Sequence, residues 1–202
     1  MMRLYPLGRA VCKAVLCTYF RQRVEGKENV PRSGPFVVAA NHVSYLDPPV
    51  LGVACPRPIQ FMAKAELFQI PILGFLIREL GAFPVHRGAA DRHAIRRALH
   101  ILEDGGVLGV FPEGTRSRRG RVLNPQGGAA LIALKAGVPV LPAGIWGTAD
   151  VDGPWHFPKP VRVGVRFGEP IDLGQPKTVD RKAVDEASVY IMSRIRELQN
   201  VT

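Results

Sequence analysis

The sequence predicts an α/β fold: a single domain with a largely parallel central sheet and helices on both faces, preceded by a basic amphipathic N-terminal helix. Three observations carry this expectation. The chain has 202 residues, the length of one domain. Hydrophobic residues make up 47%, too many for a disordered polycation and enough for a packed core. Short continuous apolar runs alternate with helical periodicities, and strands covered on both faces read as such runs.

At residues 2–23 the apolar positions Leu4, Leu7, Val11, Val15 and Tyr19 recur every three or four residues, and Leu16 and Phe20 widen the stripe. Arg3, Arg9, Lys13, Arg21 and Arg23 carry the charge, and Pro6 stands where a first turn tolerates proline. Such a helix lies in a membrane interface, so residues 1–23 are expected to associate with a membrane and 24–202 to form the domain proper. The other reading is a terminal helix packed on its own domain.

Residues 36–40 (FVVAA) read as a buried strand. A helix then starts at Pro48, with Asp47 expected as its N-cap. A strand is expected at 59–63, an apolar segment interrupted by Pro71 at 67–80, and a short strand at 81–85. Residues 91–103 form a helix with Ile95, Leu99 and Leu102 on one face, ended by Gly105 and Gly106. A strand at 107–111, a helix at 128–136 closed by Gly137 and a strand at 138–141 follow. Residues 161–167 alternate and read as a strand near an edge. The final helix spans 180–198, with Val184, Ala187, Ile191, Ile195 and Leu198 inward.

Charge narrows the function. The formal net charge is +10, and it is uneven. Residues 1–23 hold five basic and no acidic side chains, and residues 78–121 hold nine basic and five acidic. Nucleic acid fits poorly as the partner. Only 7% of residues are aromatic, and neither a zinc finger nor a heptad pattern occurs. Phospholipid head groups or phosphorylated small molecules remain. Three cysteines (Cys12, Cys17, Cys55) are too few for a disulfide framework and lack zinc-site spacing. No uncharged apolar run reaches 18 residues, and Arg9 and Lys13 interrupt anything like a signal peptide. The signatures GxSxG, GxxxxGK[ST], GxGxxG and HExxH are missing from the sequence.

Four short motifs follow predicted strands, where an α/β sheet binds its ligands. Asn41-His42-Val43-Ser44-Tyr45-Leu46-Asp47 places a histidine, the usual neutral-pH base, five residues before a carboxylate that a turn would bring back to it. An aspartate on Nδ1 would fix the tautomer and leave Nε2 to take a proton. The competing reading is a helix cap beside a structural histidine. Phe111-Pro112-Glu113-Gly114-Thr115-Arg116-Ser117 offers a flexible glycine, a hydroxyl and a phosphate-binding guanidinium, with Arg118, Arg119 and Arg121 extending the positive field. Residues 81–87 (GAFPVHR) end in Arg87, a second phosphate ligand, and residues 138–142 (VPVLP) end in Pro142. His86, His93, His100 and His156 receive no role.

In content and order these motifs resemble the four boxes of the glycerolipid acyltransferases, most closely the bacterial 1-acylglycerol-3-phosphate acyltransferases. The likeness spans roughly residues 25–170. It implies that His42 is general base on the 2-hydroxyl of lysophosphatidic acid and that Asp47 orients it. The alkoxide would attack an acyl thioester carried by acyl carrier protein or coenzyme A, with no acyl-enzyme intermediate, cofactor or metal. Arg87, Glu113, Gly114, Thr115 and Arg116 would hold the glycerol phosphate, and Asn41, Ser44 and Pro142 would support the site. The protein would sit peripherally, as a monotopic enzyme, on the anionic cytoplasmic face of the cell membrane, touching it through residues 2–23; the apolar stretch 67–77 would either join that contact or form a buried core helix. Two departures stand out. Asn124-Pro125-Gln126-Gly127-Gly128 replaces a stretch where many relatives carry lysine, and the longer N-terminal region of larger relatives is missing. The alternatives are another acceptor (glycerol 3-phosphate or a different lysophospholipid) and, more distantly, a non-catalytic lipid- or nucleic-acid-binding protein.

Overall fold

The computed structural model describes residues 4–86, 91–116, 125–151, 158–175 and 178–199. The chain runs through α1 (Tyr5–Thr18), β1 (Arg23–Glu25), β2 (Phe36–Ala40), α2 (Asp47–Ala54), β3 (Ile59–Lys64), α3 (Pro71–Glu79), β4 (Phe83–Val85) and α4 (Arg92–Glu103). It continues through β5 (Val107–Val110), α5 (Gly128–Ala136), β6 (Val140–Trp146), β7 (Gly164–Phe167) and α6 (Arg181–Gln199). The strands form one sheet in the order β1-β7-β6-β2-β5-β3-β4. From β6 to β4 all neighbours are parallel, and β7 turns antiparallel to β6.

β2 shows why the sheet is buried on both faces. All five of its side chains are fully buried, and successive residues enter different cores. Phe36, Val38 and Ala40 pack with Leu16 and Phe20 of the N-terminal segment and with Val50 and Leu51 of α2. Val37 and Ala39 pack with Ile101 of α4, Ile132 of α5 and Ile191 of α6. A fully buried side chain of this size contributes about 1.5–3 kcal/mol, against about 0–1 for an exposed ion pair. Apolar packing therefore fixes β2, and with it the loop that leaves its carboxyl end.

Local differences from the expected elements have local causes. The N-terminal helix covers Tyr5–Thr18 rather than 2–23, and Arg21 just beyond it sits at φ 47, in the left-handed region. Residues 1–3, Arg3 included, lie outside the described residues. Leu46, not Asp47, occupies the N-cap of α2, and Asp47 is its first helical residue. The stretch at 67–80 divides at Pro71 into a 3-10 turn (Ala65–Gln69) and α3. Gly74 permits the close crossing, since a Cβ there would lie 2.4 Å from the Phe68 carbonyl oxygen. β6 starts later and runs further than the expected 138–141. Its Pro142 carbonyl accepts the Gly168 N–H at 2.9 Å, just past the end of β7, so the missing proline N–H falls where β7 no longer pairs. The alternating stretch 161–167 forms a strand only at Gly164–Phe167, and it sits one strand in from the edge. The edge itself is β1, three exposed residues that no periodicity announces. In α4 the buried face is Ala94, Ala98, Ile101 and Leu102, with Ile95 and Leu99 only partly covered. Its cap is Asp91, whose carboxylate accepts the His93 and Ala94 amides at 3.0 Å.

Candidate active site

β2 and β5 are parallel neighbours, with Ala39 opposite Val110, so the loops that leave them start side by side. The β2 loop is pinned first by Asn41. Its buried amide donates to the Ile145 carbonyl (2.9 Å) and accepts the Ile145 N–H (2.7 Å), extending the sheet's own pairing towards β6.

Asp47 pins the other end. Although it lies in the first turn of α2, its carboxylate turns back into the loop. Oδ2 accepts the Val43 N–H at 2.7 Å, the Ser44 N–H at 2.8 Å and the His42 ring at Nδ1, 2.9 Å away. Asp47 is fully buried. Ser44 closes the turn: its carbonyl accepts the Asp47 N–H and its hydroxyl accepts the Leu46 N–H, each at 3.2 Å. An ionised carboxylate only accepts, so Nδ1 carries the proton and Nε2 carries the lone pair.

Nε2 makes no hydrogen bond to any described residue. The His42 ring stacks on Phe111 (centroids 4.2 Å apart, planes at 21°), and Phe111 stacks in turn on Phe61 (6.0 Å, 10°). Only 12% of the imidazole side chain is exposed. It is thus held on one side by a carboxylate and on one face by an aromatic wall, with one nitrogen available.

The β5 turn meets this loop at its backbone. Glu113 is buried, and its Oε1 accepts the His42 N–H at 3.1 Å. Gly114 stands at φ 64, and a Cβ there would fall 2.2 Å from Oε1 of Gln126. The positive φ favours glycine here, while the Gln126 amide, at the end of a flexible side chain, could move aside. Thr115 is exposed. Arg116 lies over the Tyr45 ring with its guanidinium carbon 3.6 Å from the centroid, and donates from Nη2 to the Tyr45 hydroxyl at 2.9 Å.

The structure thus brings together Asn41, His42, Ser44, Asp47, Glu113, Gly114, Thr115 and Arg116. Pro142 pairs with Ala39 inside the sheet, before the loops begin. Arg87 lies outside the described residues, as do Ser117, Arg118, Arg119, Arg121, Asn124 and His156. Val85, the last residue of β4, stands three strand spacings from β2, about 14 Å. Three contributors were not identified from the sequence: Phe111 as the wall behind the imidazole, Gln126 against Gly114, and Tyr45 beneath Arg116. Tyr45 carried the only available signal, an aromatic side chain between the histidine and the aspartate.

Cysteine chemistry does not compete at this site. Burial pushes the thiols of Cys12 and Cys55 up, which keeps them protonated and weakly nucleophilic. Among the described residues no three His, Cys, Asp or Glu side chains group closely enough to hold a metal. What the arrangement offers is an imidazole able to take a proton from a hydroxyl, with a cation nearby for an anionic substrate.

A sequence model of the acyltransferase family matches residues 21–146, a span that contains both site loops. The chain is 32% identical to the 1-acyl-sn-glycerol-3-phosphate acyltransferase of Bacillus subtilis, and the alignment covers 98% of each protein. It is 37% identical over 127 residues to the lyso-ornithine lipid O-acyltransferase of Pseudomonas aeruginosa, covering 62% of this chain and 47% of that longer one. The crystal structure of the 1-acyl-sn-glycerophosphate acyltransferase PlsC from Thermotoga maritima superposes with a TM-score of 0.69 at 33% identity, covering 98% of this chain and 84% of that one. With motif, fold and full-length similarity in agreement, the chain belongs to the acyltransferase family.

Proposed function

We propose that this acyltransferase moves an acyl group from a thioester, carried by acyl carrier protein or coenzyme A, to the 2-hydroxyl of 1-acylglycerol 3-phosphate, giving phosphatidic acid. The observation that carries the reading is the His42–Asp47 pair, with Nε2 unengaged by any described residue and Arg116 on the adjoining loop. The similarity to the Bacillus subtilis enzyme, over 98% of each chain, supports the acceptor.

The chemistry follows from the geometry. Nε2 of His42 takes the proton of the acceptor hydroxyl as its oxygen bonds to the thioester carbonyl carbon. The tetrahedral intermediate collapses, the carbon–sulfur bond breaks, and the imidazolium returns its proton to the departing thiolate. Asp47 holds the ring and stabilises its charged form. Transfer is taken as direct, a reading supported by Ser44, whose hydroxyl accepts the Leu46 N–H and makes no hydrogen bond to His42 among the described residues. Arg87 and the Glu113–Arg116 turn hold the phosphate.

The same reading places the enzyme peripherally on the cytoplasmic membrane face, where soluble thioesters arrive. In residues 1–23, α1 leaves Leu7 (65%), Val11 (57%), Val15 and Tyr19 exposed while Leu16 and Phe20 enter the core. Gly8 meets Leu80 at the end of α3, and α3 exposes Ile72 (85%) and Phe75 (59%) in its turn. Exposed large apolar side chains on two helices that approach each other support an interaction face. Among the described residues no helix is long and apolar enough to cross a membrane. The exposed apolar side chains of α1 and α3 support a position on its surface.

As a second acceptor, a different lysolipid is favoured by the similarity to the protein named a lyso-ornithine lipid O-acyltransferase, and glycerol 3-phosphate is the other alternative tested. The test is acyl transfer by the purified chain with competing acceptors, the products identified by mass spectrometry. 1-Acylglycerol 3-phosphate is expected to win, and His42→Ala to lose about 10²–10⁴-fold in turnover while staying folded. Full turnover in His42→Ala would sink the base, and preference for another acceptor would replace the substrate.

A further inference from the structure

We propose that Tyr45 is a positioning residue: it pre-sets the Arg116 guanidinium for the acceptor's phosphate and leaves that guanidinium's charge unspent. The inference rests on the acceptor assigned above and adds a residue that neither the motifs nor the relatives' names assign.

Tyr45 is the conspicuous exception in its loop. His42, Val43, Ser44 and Leu46 are each committed to Asp47 or Ser44 through hydrogen bonds. Tyr45 instead projects outward and is 68% exposed, an unfavourable setting for a large aromatic ring. What it contacts is Arg116, which arrives from the β5 turn 71 residues later. The guanidinium lies flat over the ring at 3.6 Å and donates one N–H to the phenol oxygen at 2.9 Å. Among the described residues no carboxylate pairs with Arg116.

The chemistry of the holder matters. A carboxylate in this place would immobilise the arginine but neutralise it and take the edge that a phosphate needs. An aromatic face holds a guanidinium through its quadrupole, and a phenol oxygen takes a single donor. The remaining N–H groups stay available for bidentate phosphate recognition. The arginine's rotamer freedom is already restricted before substrate binds, so less is lost on binding. Tyr45 sits three residues from His42, and in the acceptor only a few bonds separate the phosphate from the reacting hydroxyl. Anchoring the phosphate ligand to the loop that carries the base therefore sets where the acceptor's phosphate is received, a contribution to acceptor binding.

Steady-state kinetics of Tyr45→Phe, Tyr45→Ala, Arg116→Ala and the Tyr45→Ala/Arg116→Ala double variant test this. Tyr45→Ala is expected to raise the KM for 1-acylglycerol 3-phosphate about fivefold and Tyr45→Phe about twofold. The KM for the thioester should not move, and kcat should stay within about twofold. The double variant should be no worse than Arg116→Ala alone, because Tyr45 acts through that residue. A merely structural tyrosine would lower kcat by loosening His42, and its effect would add to that of Arg116→Ala. Either result, or an unchanged acceptor KM in Tyr45→Ala, overturns the proposal. If the unsubstituted enzyme does not acylate this acceptor, the functional reading fails separately. The same four proteins are then compared for inorganic phosphate affinity by calorimetry. Weaker binding in Tyr45→Ala that vanishes in the Arg116→Ala background sustains the role of Tyr45, and equal binding overturns it.

Discussion

Replacing Asp47 with asparagine separates the two things its carboxylate does. Oδ2 receives three donors, while Oδ1 meets no hydrogen-bond partner among the described residues. If the amide oxygen takes the place of Oδ2, all three contacts survive and the NH2 group points where Oδ1 was. The reverse orientation sets an NH2 against three N–H donors and is excluded. His42 therefore keeps its tautomer in Asp47→Asn, and the variant loses only the charge facing the imidazolium. A hydrogen bond to a charged group is worth about 1.5–3 kcal/mol and a neutral one about 0.5–1.5, so the loss is about 1–2 kcal/mol. At about 1.4 kcal/mol per factor of ten, kcat should fall about 5- to 30-fold. Asp47→Ala is a different perturbation. It frees the imidazole and orphans two partly buried amides, each costing at most about 1–3 kcal/mol of stability. Its kcat should fall about 10²–10⁴-fold. Thiol release from the thioester at saturating acceptor measures both variants, with melting temperature as the control for folding. Wild-type kcat in Asp47→Asn would show that the charge is not used, and a loss as deep as that of Asp47→Ala would refute the orientation argument.

Two further perturbations are informative. Ile72→Asp with Phe75→Asp should weaken cosedimentation with anionic vesicles while leaving turnover on dispersed substrate intact; unchanged cosedimentation would remove α3 from the membrane face. At the start of α4 the backbone N–H of His86, then those of Ala94 and His93, hold the Asp91 carboxyl below its ordinary range. A carboxyl lowered in the folded state stabilises above its unfolded value, about 3.9, and that contribution is lost as pH falls through the folded value. Asp91→Ala should therefore be less stable by about 0.5–2 kcal/mol at neutral pH, as for other N-caps, and the deficit should shrink under acid. A deficit independent of pH in denaturant titrations would refute the cap.

Legibility in the sequence followed distance along the chain. The His42–Asp47 contact joins residues five apart in one turn, and such spacing can be read directly. Asp47's two other donors are backbone amides, which every residue but proline carries, so no letter marks them. The parallel sheet was legible because runs such as FVVAA admit little else. β1 was not, because three exposed residues acquire strand character only by pairing with β7, at the far end of the chain. Arg116 stands out in the sequence as a candidate phosphate ligand, but its seat on Tyr45 depends on two strand ends meeting. Arg9 shows the limit most clearly. On an amphipathic helix a cation looks the same whether it faces lipid or protein, and here it faces protein.

That arginine reaches the carbonyls of Gly52, Val53 and Cys55 at 3.4, 3.2 and 2.8 Å, closing the carboxyl end of α2 where a cation is electrostatically favoured. Asp47 opens the same helix, and at eight residues α2 is about 12 Å long. The helix read as a membrane anchor and the aspartate that aligns the histidine are thus opposite ends of one short strut. Tilting or withdrawing α1 would remove the cation that closes α2, the helix whose first residue is the aspartate hydrogen-bonded to the imidazole. Trimming the N-terminal segment would therefore take a brace from the loop that carries His42.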